Sequence, residues 1–187
     1  YEISECLVGS EMCIRDSISI MNLVWLKLIK RILTHKYYVA KYCFQIGLYW
    51  QGITHDLSKF SFIEFSRAIK YWDDKMSSLA NECRILGYSQ TFLHHRGRNP
   101  HHYEYWIHSL DNGGIPAKMP KKYVLELICD YLAAAKTYGA DPRREYTWWL
   151  KQQPHMKIHK KTKSYITEVF YKYSIGLTLK ESINGNY

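Results

Sequence analysis

The chain has 187 residues, 47% of them hydrophobic, so its length suits one domain, or one domain with tails, around a substantial core. It has no run of about 18 uncharged apolar residues, which excludes a predicted transmembrane helix. The formal net charge of +9 favours anionic partners such as phosphorylated metabolites, nucleotides, nucleic acid or a membrane surface, although a basic surface without a function explains it equally well.

The cysteines and aromatic residues narrow the setting further. The five cysteines stand at positions 6, 13, 43, 83 and 129, without CxxC spacing. This scattered pattern favours reduced thiols over a disulfide framework, so we predict a cytoplasmic protein. Seventeen tyrosines and six tryptophans supply large amphipathic rings, which suit a core built around a polar pocket.

The first residues differ in character from the rest of the chain. Residues 1 to about 17 show neither helical nor strand periodicity, and they lack the features of a secretory signal. They resemble translated sequencing-adapter read-through, and we expect the natural protein to begin at or near Met21. We therefore predict an artefactual or disordered leader over 1–20, a single helical domain over 21–181 and a frayed tail over 182–187.

A long helix is predicted from residue 22 to about residue 50. Apolar residues recur there at three- and four-residue steps and form the predicted buried stripe: Leu23, Leu26, Ile29 and Leu33. The lysines and the arginine of this stretch lie off that stripe. His35 continues the apolar stripe, so we expect its side chain on the buried face. A histidine in that position is either a hydrogen-bonded core residue or a metal ligand.

The dipeptide His55-Asp56 follows, with Lys59 about one helical turn further along. Ser61 and Glu64 have the spacing of a capping box, which predicts a second helix through about residue 72. Three residues of that helix are predicted to be buried: Phe62, Phe65 and Ile69. The dipeptide therefore falls at a junction between helices, where both side chains can turn into one pocket.

Residues 73–89 are polar and irregular, and we predict a loop or lid with a short helix around 79–86. After it, four histidines occur within nine residues, as the pairs His94-His95 and His101-His102. A turn at 97–100 separates the pairs, so they can face one another. Adjacent residues on a helix diverge by about 100°, so we expect one member of each pair to point inward. The other interpretation is a solvated histidine-rich loop that binds metal only adventitiously.

The clearest helix is predicted between Pro120 and Gly139. Proline suits the first turn of a helix and glycine suits its C-terminal cap. Glu126 and Asp130 are four residues apart and share one face, where two carboxylates repel each other unless a cation is near. Either residue can instead be a surface charge or pair with a lysine or arginine. A final amphipathic helix is predicted over 164–179, after a lysine-rich stretch at 157–163.

In chain order, the histidines and aspartates resemble the pattern of the HD-domain superfamily of metal-dependent phosphohydrolases. More narrowly, the run HDLSKFS, HH, NPHHYEYW, MPKKYVLELICD resembles an uncharacterised domain family of bacteria and phages. The resemblance implies an all-α helical bundle of HD-domain type, with its metal-site core at about 33–140. It implies these metal ligands: His35, His55, Asp56, His95, His102 and Asp130. Alternative ligands, or groups that orient the ligands, are His94, His101 and Glu126.

Imidazole and carboxylate groups bind divalent ions, so we predict one or two ions of manganese, iron, zinc or magnesium. The main hypothesis is a phosphomonoesterase or phosphodiesterase acting on a nucleotide or small phosphorylated metabolite through a metal-activated water. Residues predicted to act in catalysis or to bind the substrate are Lys59, Arg96, Arg98, Asn99 and Glu104. The alternatives are an HD-fold di-iron oxygenase and a non-catalytic basic protein that binds nucleic acid or a partner and carries a structural metal.

Overall fold

The computed structural model describes residues 3–108, 113–185 and 187, with side chains from Leu23 onward. Its helices are α1 (Ile3–Gln45), α2 (Tyr49–Thr54), α3 (Phe62–Lys70), α4 (Ser78–Leu86), α5 (Gln90–Arg96), α6 (Lys121–Thr137), α7 (Glu145–Gln152), α8 (Lys160–Ser174) and α9 (Leu179–Ser182). Two short strands, β1 (Ile107–His108) and β2 (Ile115–Pro116), pair antiparallel. The predicted all-α class is confirmed, and this two-residue strand pair is a small departure from it.

The core lies between α1, α6, α7 and α8. It is made of aliphatic and aromatic side chains with almost no exposed surface: Val39, Leu127, Ile128, Leu132, Trp149, Ile166, Val169 and Phe170. Helix α6 contributes more buried core residues than any other helix because it is buried on several faces, so it can hold a polar side chain in a fixed position next to the core. Helices α2 to α5 pack against one end of the α1–α6 pair.

Several predicted boundaries agree with the structure. Helix α6 runs between Pro120 and Gly139, and Gly139 has a φ of 78°, which an L side chain rarely adopts. Helix α4 replaces the predicted short helix at 79–86 with almost the same limits. The long first helix, however, ends at Gln45, because Gly47 turns the chain with a φ of 78° and α2 begins separately.

Helix α3 begins after Ser61 as predicted, and the Ser61 hydroxyl accepts a hydrogen bond from the backbone N–H of Glu64. The predicted burial of Phe62 is wrong, since its side chain is 86% exposed. The buried residue of α3 is instead Glu64, whose carboxylate bonds to histidines of α5 and not to the helix cap. Those bonds set which face of α3 is turned inward.

Helices lie near both ends of the described chain. Helix α1 begins at Ile3, within the predicted leader, whose residues 1 and 2 lie outside the described part of the chain. At the other end the last predicted helix divides into α8 and α9 around Gly176. Asn186 of the predicted frayed tail is also outside the described residues. At the end of that tail the Tyr187 hydroxyl bonds to Thr162 and to the Met119 carbonyl.

Within the described ranges, no helix combines the length and the apolar character that crossing a membrane requires.

Candidate metal centre

The first two candidate ligands come from the long helices of the core. His35 of α1 and Asp130 of α6 face each other, with His35 Nε2 3.0 Å from Asp130 Oδ1. Both helices are packed into the core on either side of these residues, so neither backbone can move without disturbing that packing. His35 is buried as expected, but the predicted apolar stripe is wrong, because three of its leucines are exposed: Leu23, Leu26 and Leu33. The buried face of α1 carries Leu28 and Ile32 instead, each one residue away from a predicted position.

His55 reaches the same point from the end of α2. The Lys36 ammonium donates to the carbonyls of Ile53 and His55, which satisfies the free C-terminal carbonyls of α2 and holds that end against α1. His55 Nε2 then lies 3.3 Å from Asp56 Oδ2 and 3.6 Å from Asp130 Oδ1. On the opposite side of its ring, Nδ1 lies 3.0 Å from Glu126 Oε1, so the carboxylate can orient the ring.

Asp56 occupies the centre of the cluster and has an unusual backbone. Its φ of 54° and ψ of 30° are left-handed, and Asp56 is the sole non-glycine residue with positive φ in the described ranges. Aspartate tolerates this conformation better than most residues, and such backbone strain is concentrated at functional sites. The turn points the Asp56 carboxylate into the pocket, where the Lys59 ammonium lies 2.6 Å from Oδ2.

Three histidines approach Asp56 from the opposite side. His95 Nε2 lies 3.2 Å from Asp56 Oδ1, and His101 Nε2 lies 3.4 Å from the same oxygen. The His102 ring stands 4.9 Å from the His95 ring, centre to centre. One nitrogen of each histidine and one Asp56 oxygen all lie within 4.8 Å of one another. The two carboxylate oxygens of Asp56 thus face two different groups of ligands.

We call these groups the α1–α6 side, formed by His35, His55 and Asp130, and the α5 side, formed by His95, His101 and His102. With Asp56, each side contains four residues that can offer ligand atoms to one metal ion. Imidazole and carboxylate together suit zinc, manganese and iron.

The histidine pairs behave differently from each other. In the pair on α5, His95 faces Asp56, whereas His94 Nδ1 lies 2.8 Å from Glu64 Oε1 and outside the ligand groups. The second pair lies in a turn, so the 100° divergence of helical neighbours does not apply to it. Both His101 and His102 therefore reach the cluster, and the expectation that a single member would point inward is wrong for this pair.

Glu64 is the residue at the site that the sequence did not reveal. It is almost fully buried, and its two oxygens lie 2.8 Å from His94 Nδ1 and 2.8 Å from His95 Nδ1. It therefore orients the His95 ring as Glu126 orients His55. The capping-box pattern already explained Glu64, so no signal in the sequence set it apart from an ordinary helix cap.

The other predicted residues are spread more widely. Lys59 lies at the cluster, next to Asp56. Asn99 is buried, and its side-chain amide donates to the Ser58 hydroxyl and to the His95 carbonyl. Asn99 thus supports the turn that carries the second histidine pair. Arg96, Arg98 and Glu104 do not line the cavity that opens onto the cluster.

Five buried polar atoms of the cluster have no hydrogen-bond partner among the described residues. Each belongs to a candidate ligand: Nε2 of His35, His55, His101 and His102, and Oδ1 of Asp56. Several of them lie within 4 Å of a carboxylate oxygen, but they are not aligned with it for a hydrogen bond. An unpaired buried polar atom costs about 1–3 kcal/mol, so five converging on one place indicate a missing partner.

The charges of the cluster also favour a bound cation. Burial opposes ionisation of Asp56, yet His55, Lys59 and His95 hold the pKa of that carboxyl well below its usual value. Burial likewise lowers the pKa of His95, but the Asp56 and Glu64 carboxylates outweigh it and raise that pKa to about 9. Carboxylates buried this deeply require positive charge beside them, and here protons and one lysine supply it. A divalent cation satisfies the same requirement, so the residues present fit a metal.

Comparison with known proteins adds a family without an activity. The model of a family described as "Family of unknown function (DUF5662)" matches residues 25–172, which include every candidate ligand. No curated protein and no solved structure matches the chain.

Proposed function

Because the chain belongs to the Family of unknown function DUF5662, whose description assigns no activity, we propose a function from the chemistry of the site. The protein is a metal-dependent phosphohydrolase of HD-domain type, which cleaves a phosphate ester of a nucleotide or another small phosphorylated metabolite. One observation carries the proposal: Asp56 directs its two oxygens toward two separate groups of ligands, as a carboxylate that bridges two metal ions does.

The ligand assignment follows from the contacts. The α1–α6 side and Asp56 would hold one ion, and the α5 side and Asp56 would hold a second. Divalent ions in such a pair supply Lewis acidity, which makes water a nucleophile near neutral pH and neutralises phosphoryl oxygens. Glu126 and Glu64 keep the Nε2 atoms of His55 and His95 directed inward, because each carboxylate accepts the Nδ1 proton of its histidine.

Lys59 is the chain's own cation at the reacting position. Its ammonium lies 2.6 Å from Asp56 Oδ2 and lines the cavity, so it can donate to an oxygen of a phosphoryl group bound beside Asp56. In hydrolysis the oxygen of water bonds to phosphorus, the ester P–O bond breaks, and the leaving oxygen takes up a proton. The protein's groups bind and orient the ester, and they balance the charge that develops on the phosphoryl oxygens.

The test compares several classes of phosphate ester as substrates of the metal-loaded protein. Nucleoside monophosphates, bis-aryl phosphates and sugar phosphates are incubated with the protein after loading with manganese, iron, zinc or magnesium. We expect hydrolysis of at least one class, and its loss in Lys59→Met with metal content unchanged. Exposed Lys70 provides the matched control, Lys70→Met, which should retain activity. Absence of hydrolysis with every metal and every ester would reject the proposal.

The two alternative functions remain predictions, and each has its own test. Elemental analysis of anaerobically purified protein tests the first one. Two irons with oxygen uptake would favour the di-iron oxygenase. Nucleic-acid binding that survives the removal of His55 and Asp56 would favour the non-catalytic protein.

A further inference from the structure

A cavity of about 280 Å³ opens from the metal cluster and continues between α1 and α6. Its near end is formed by Lys59 and by five candidate ligands: His35, Asp56, His95, His102 and Asp130. Its volume is close to the lower limit of small-molecule sites, which is about 300 Å³. The cavity therefore suits a compact ligand with one end at the cluster.

The two long helices give the cavity its length. On α1 its lining extends from His35 back to Leu28, and on α6 from Asp130 forward to Thr137. Each pair is seven residues apart, which corresponds to about 10 Å along a helix. Beyond a phosphoryl group at the cluster, this length leaves room for about one aromatic ring or a short alkyl chain.

The wall beyond the cluster is aliphatic. It is formed by side chains from four different helices: Leu28, Ile32, Ala68, Leu79 and Ala134. The small side chains of Ala68 and Ala134 leave the cavity wide enough for a ligand. Ala133 and Ala135 pack into the protein on either side of Ala134, while Ala134 itself faces the cavity.

Five polar side chains lie on this wall, and three of them, Arg31, Ser77 and Thr137, are hydrogen-bonded within the protein. The other two are Ser78 and Tyr138. The Ser77 hydroxyl accepts the backbone N–H of Ala80, and the Thr137 hydroxyl donates to the Ala133 carbonyl. Arg31 also lines the cavity, but three of its hydrogen bonds go to backbone carbonyls of residues 73–76, and its guanidinium stacks on Trp72 at 4.0 Å. A ligand with several hydroxyl groups would lose its bound water here without gaining enough partners.

One hydroxyl at the cluster end is free. The Thr91 side chain is 4% exposed and lines the cavity, and its Oγ1 has no hydrogen-bond partner among the described residues. Thr91 lies one helical turn before His95 on α5, so its hydroxyl can donate to a phosphoryl oxygen held at the cluster. Polar recognition is thus concentrated at the cluster, and apolar contact at the far end.

From this division we infer that the substrate is a phosphate monoester with a compact apolar organic group, about the size of one aromatic ring. The inference rests on the proposed phosphohydrolase function and names its substrate class. The phosphoryl group binds at Asp56, Lys59 and Thr91, and the apolar group lies between α1 and α6. Sugar phosphates and esters with larger polar groups are disfavoured.

The first experiment measures binding and does not depend on catalysis. Phenylphosphonate and methylphosphonate, which are not hydrolysed, are titrated calorimetrically into the metal-loaded protein. Burial of a phenyl ring against the aliphatic wall is expected to lower the dissociation constant about tenfold or more relative to methylphosphonate. Equal affinities of the two phosphonates would overturn the inference.

Two variants on α4 locate the effect. Leu79 lines the cavity, whereas Ile85 on the same helix is 57% exposed and lies away from it. Leu79→Asn should remove most of the preference for phenylphosphonate, and Ile85→Asn should leave it intact. A preference unchanged in Leu79→Asn would place the ring elsewhere and overturn the inference. If Leu79→Asn fails to fold, the comparison of the two phosphonates in the unaltered protein still decides.

Hydrolysis distinguishes the failure of the inference from the failure of the proposed function. Phenyl phosphate, glucose 6-phosphate and adenosine monophosphate are compared as substrates. A value of kcat/KM about tenfold higher for phenyl phosphate would support both statements. A higher value for either of the other esters would overturn the inference and leave the phosphohydrolase proposal standing. If phenylphosphonate binds preferentially and no ester is cleaved, the proposed function is overturned, while the apolar cavity is supported.

Discussion

The two sides of the candidate metal centre are supported in different ways. Two of the three residues on the α1–α6 side, His35 and Asp130, are carried by helices whose neighbouring residues are fully buried in the core, such as Val39, Ile128 and Leu132. The α5 side is held by polar contacts, in which Glu64 and Asn99 bond to His95. Apolar packing persists without a metal, whereas adjacent histidines and carboxylates depend on their charge balance. The comparison indicates that the α1–α6 side is preformed and that the α5 side depends more on the ion.

Asp56 belongs to both sides, so its replacement is the most severe test. Asp56→Asn keeps the shape but removes the charge that both groups of ligands share. We expect loss of both ions and a fall in any metal-dependent activity on the order of a hundredfold or more. Metal content by mass spectrometry and ester hydrolysis measure this. Asp74→Asn, which alters an exposed ion pair with Lys27, should change neither. Full metal content in Asp56→Asn would contradict the shared role.

The next largest effect separates the two sides. His35→Gln should remove the ion of the α1–α6 side, and His102→Gln should remove the ion of the α5 side, so each variant should retain about one ion in place of two. Equilibrium dialysis followed by elemental analysis gives the stoichiometry. If either variant alone loses both ions, the centre behaves as one unit and the division into two sides is wrong.

A smaller effect is expected from the carboxylates behind the ligands. Glu64→Gln replaces the charged acceptor of the His95 Nδ1 proton with a neutral amide, and this should weaken the ion of the α5 side by about 10–100-fold while the other ion stays bound. Competition with a fluorescent chelator measures both affinities. Glu168→Gln, at a half-exposed position on α8, is the matched control. Equal weakening of both ions would show that Glu64 acts through overall charge and not through one ring.

The smallest effect concerns dynamics after removal of the metal. We expect amide hydrogen exchange in residues 89–104 to accelerate by about tenfold, because that segment loses the partner of its histidines. Exchange in α6 should stay nearly unchanged, since its hydrogen bonds are protected by the core. Mass spectrometry of peptides from chelator-treated and metal-loaded protein provides the comparison. Acceleration in α6 to the same degree would remove the distinction between the two sides.

The sequence predicted the polar half of the site better than its supports. Histidine pairs and aspartates are uncommon enough to be noticed in a list of residues, and the caps of α6 placed Asp130 on a well-defined helix. Glu64 escaped notice because the same residue type at the same spacing is also the signature of a helix cap. The divergence of helical neighbours, which predicts one inward histidine per pair, does not hold for His101 and His102 because these residues form a turn.

The apolar half of the cavity could not be predicted at all. The predicted stripe did not include Leu28 and Ile32. Both lie on the face of α1 that also carries the core residues Val39 and Cys43. Even on the correct face, periodicity does not distinguish a side chain that packs from one that borders a cavity. Ala134 has neighbours of identical type on both sides. Whether a space remains between two helices depends on the shapes of residues distant in sequence, and a local pattern does not contain that information.

Gly52 is far from any ligand atom and yet bears on all of them. A Cβ at this position would lie 2.9 Å from a ring carbon of Phe44 and 3.1 Å from the Ala40 Cα, so α2 rests directly on α1. The separation of His35 and His55 is therefore set by a missing side chain on the face of α2 that contacts α1. A methyl group added there would push α2 outward by several tenths of an ångström, comparable with the tolerance of a metal–nitrogen bond. Under the proposed function, metal selectivity could therefore be adjusted through a helix contact, without changing any candidate ligand.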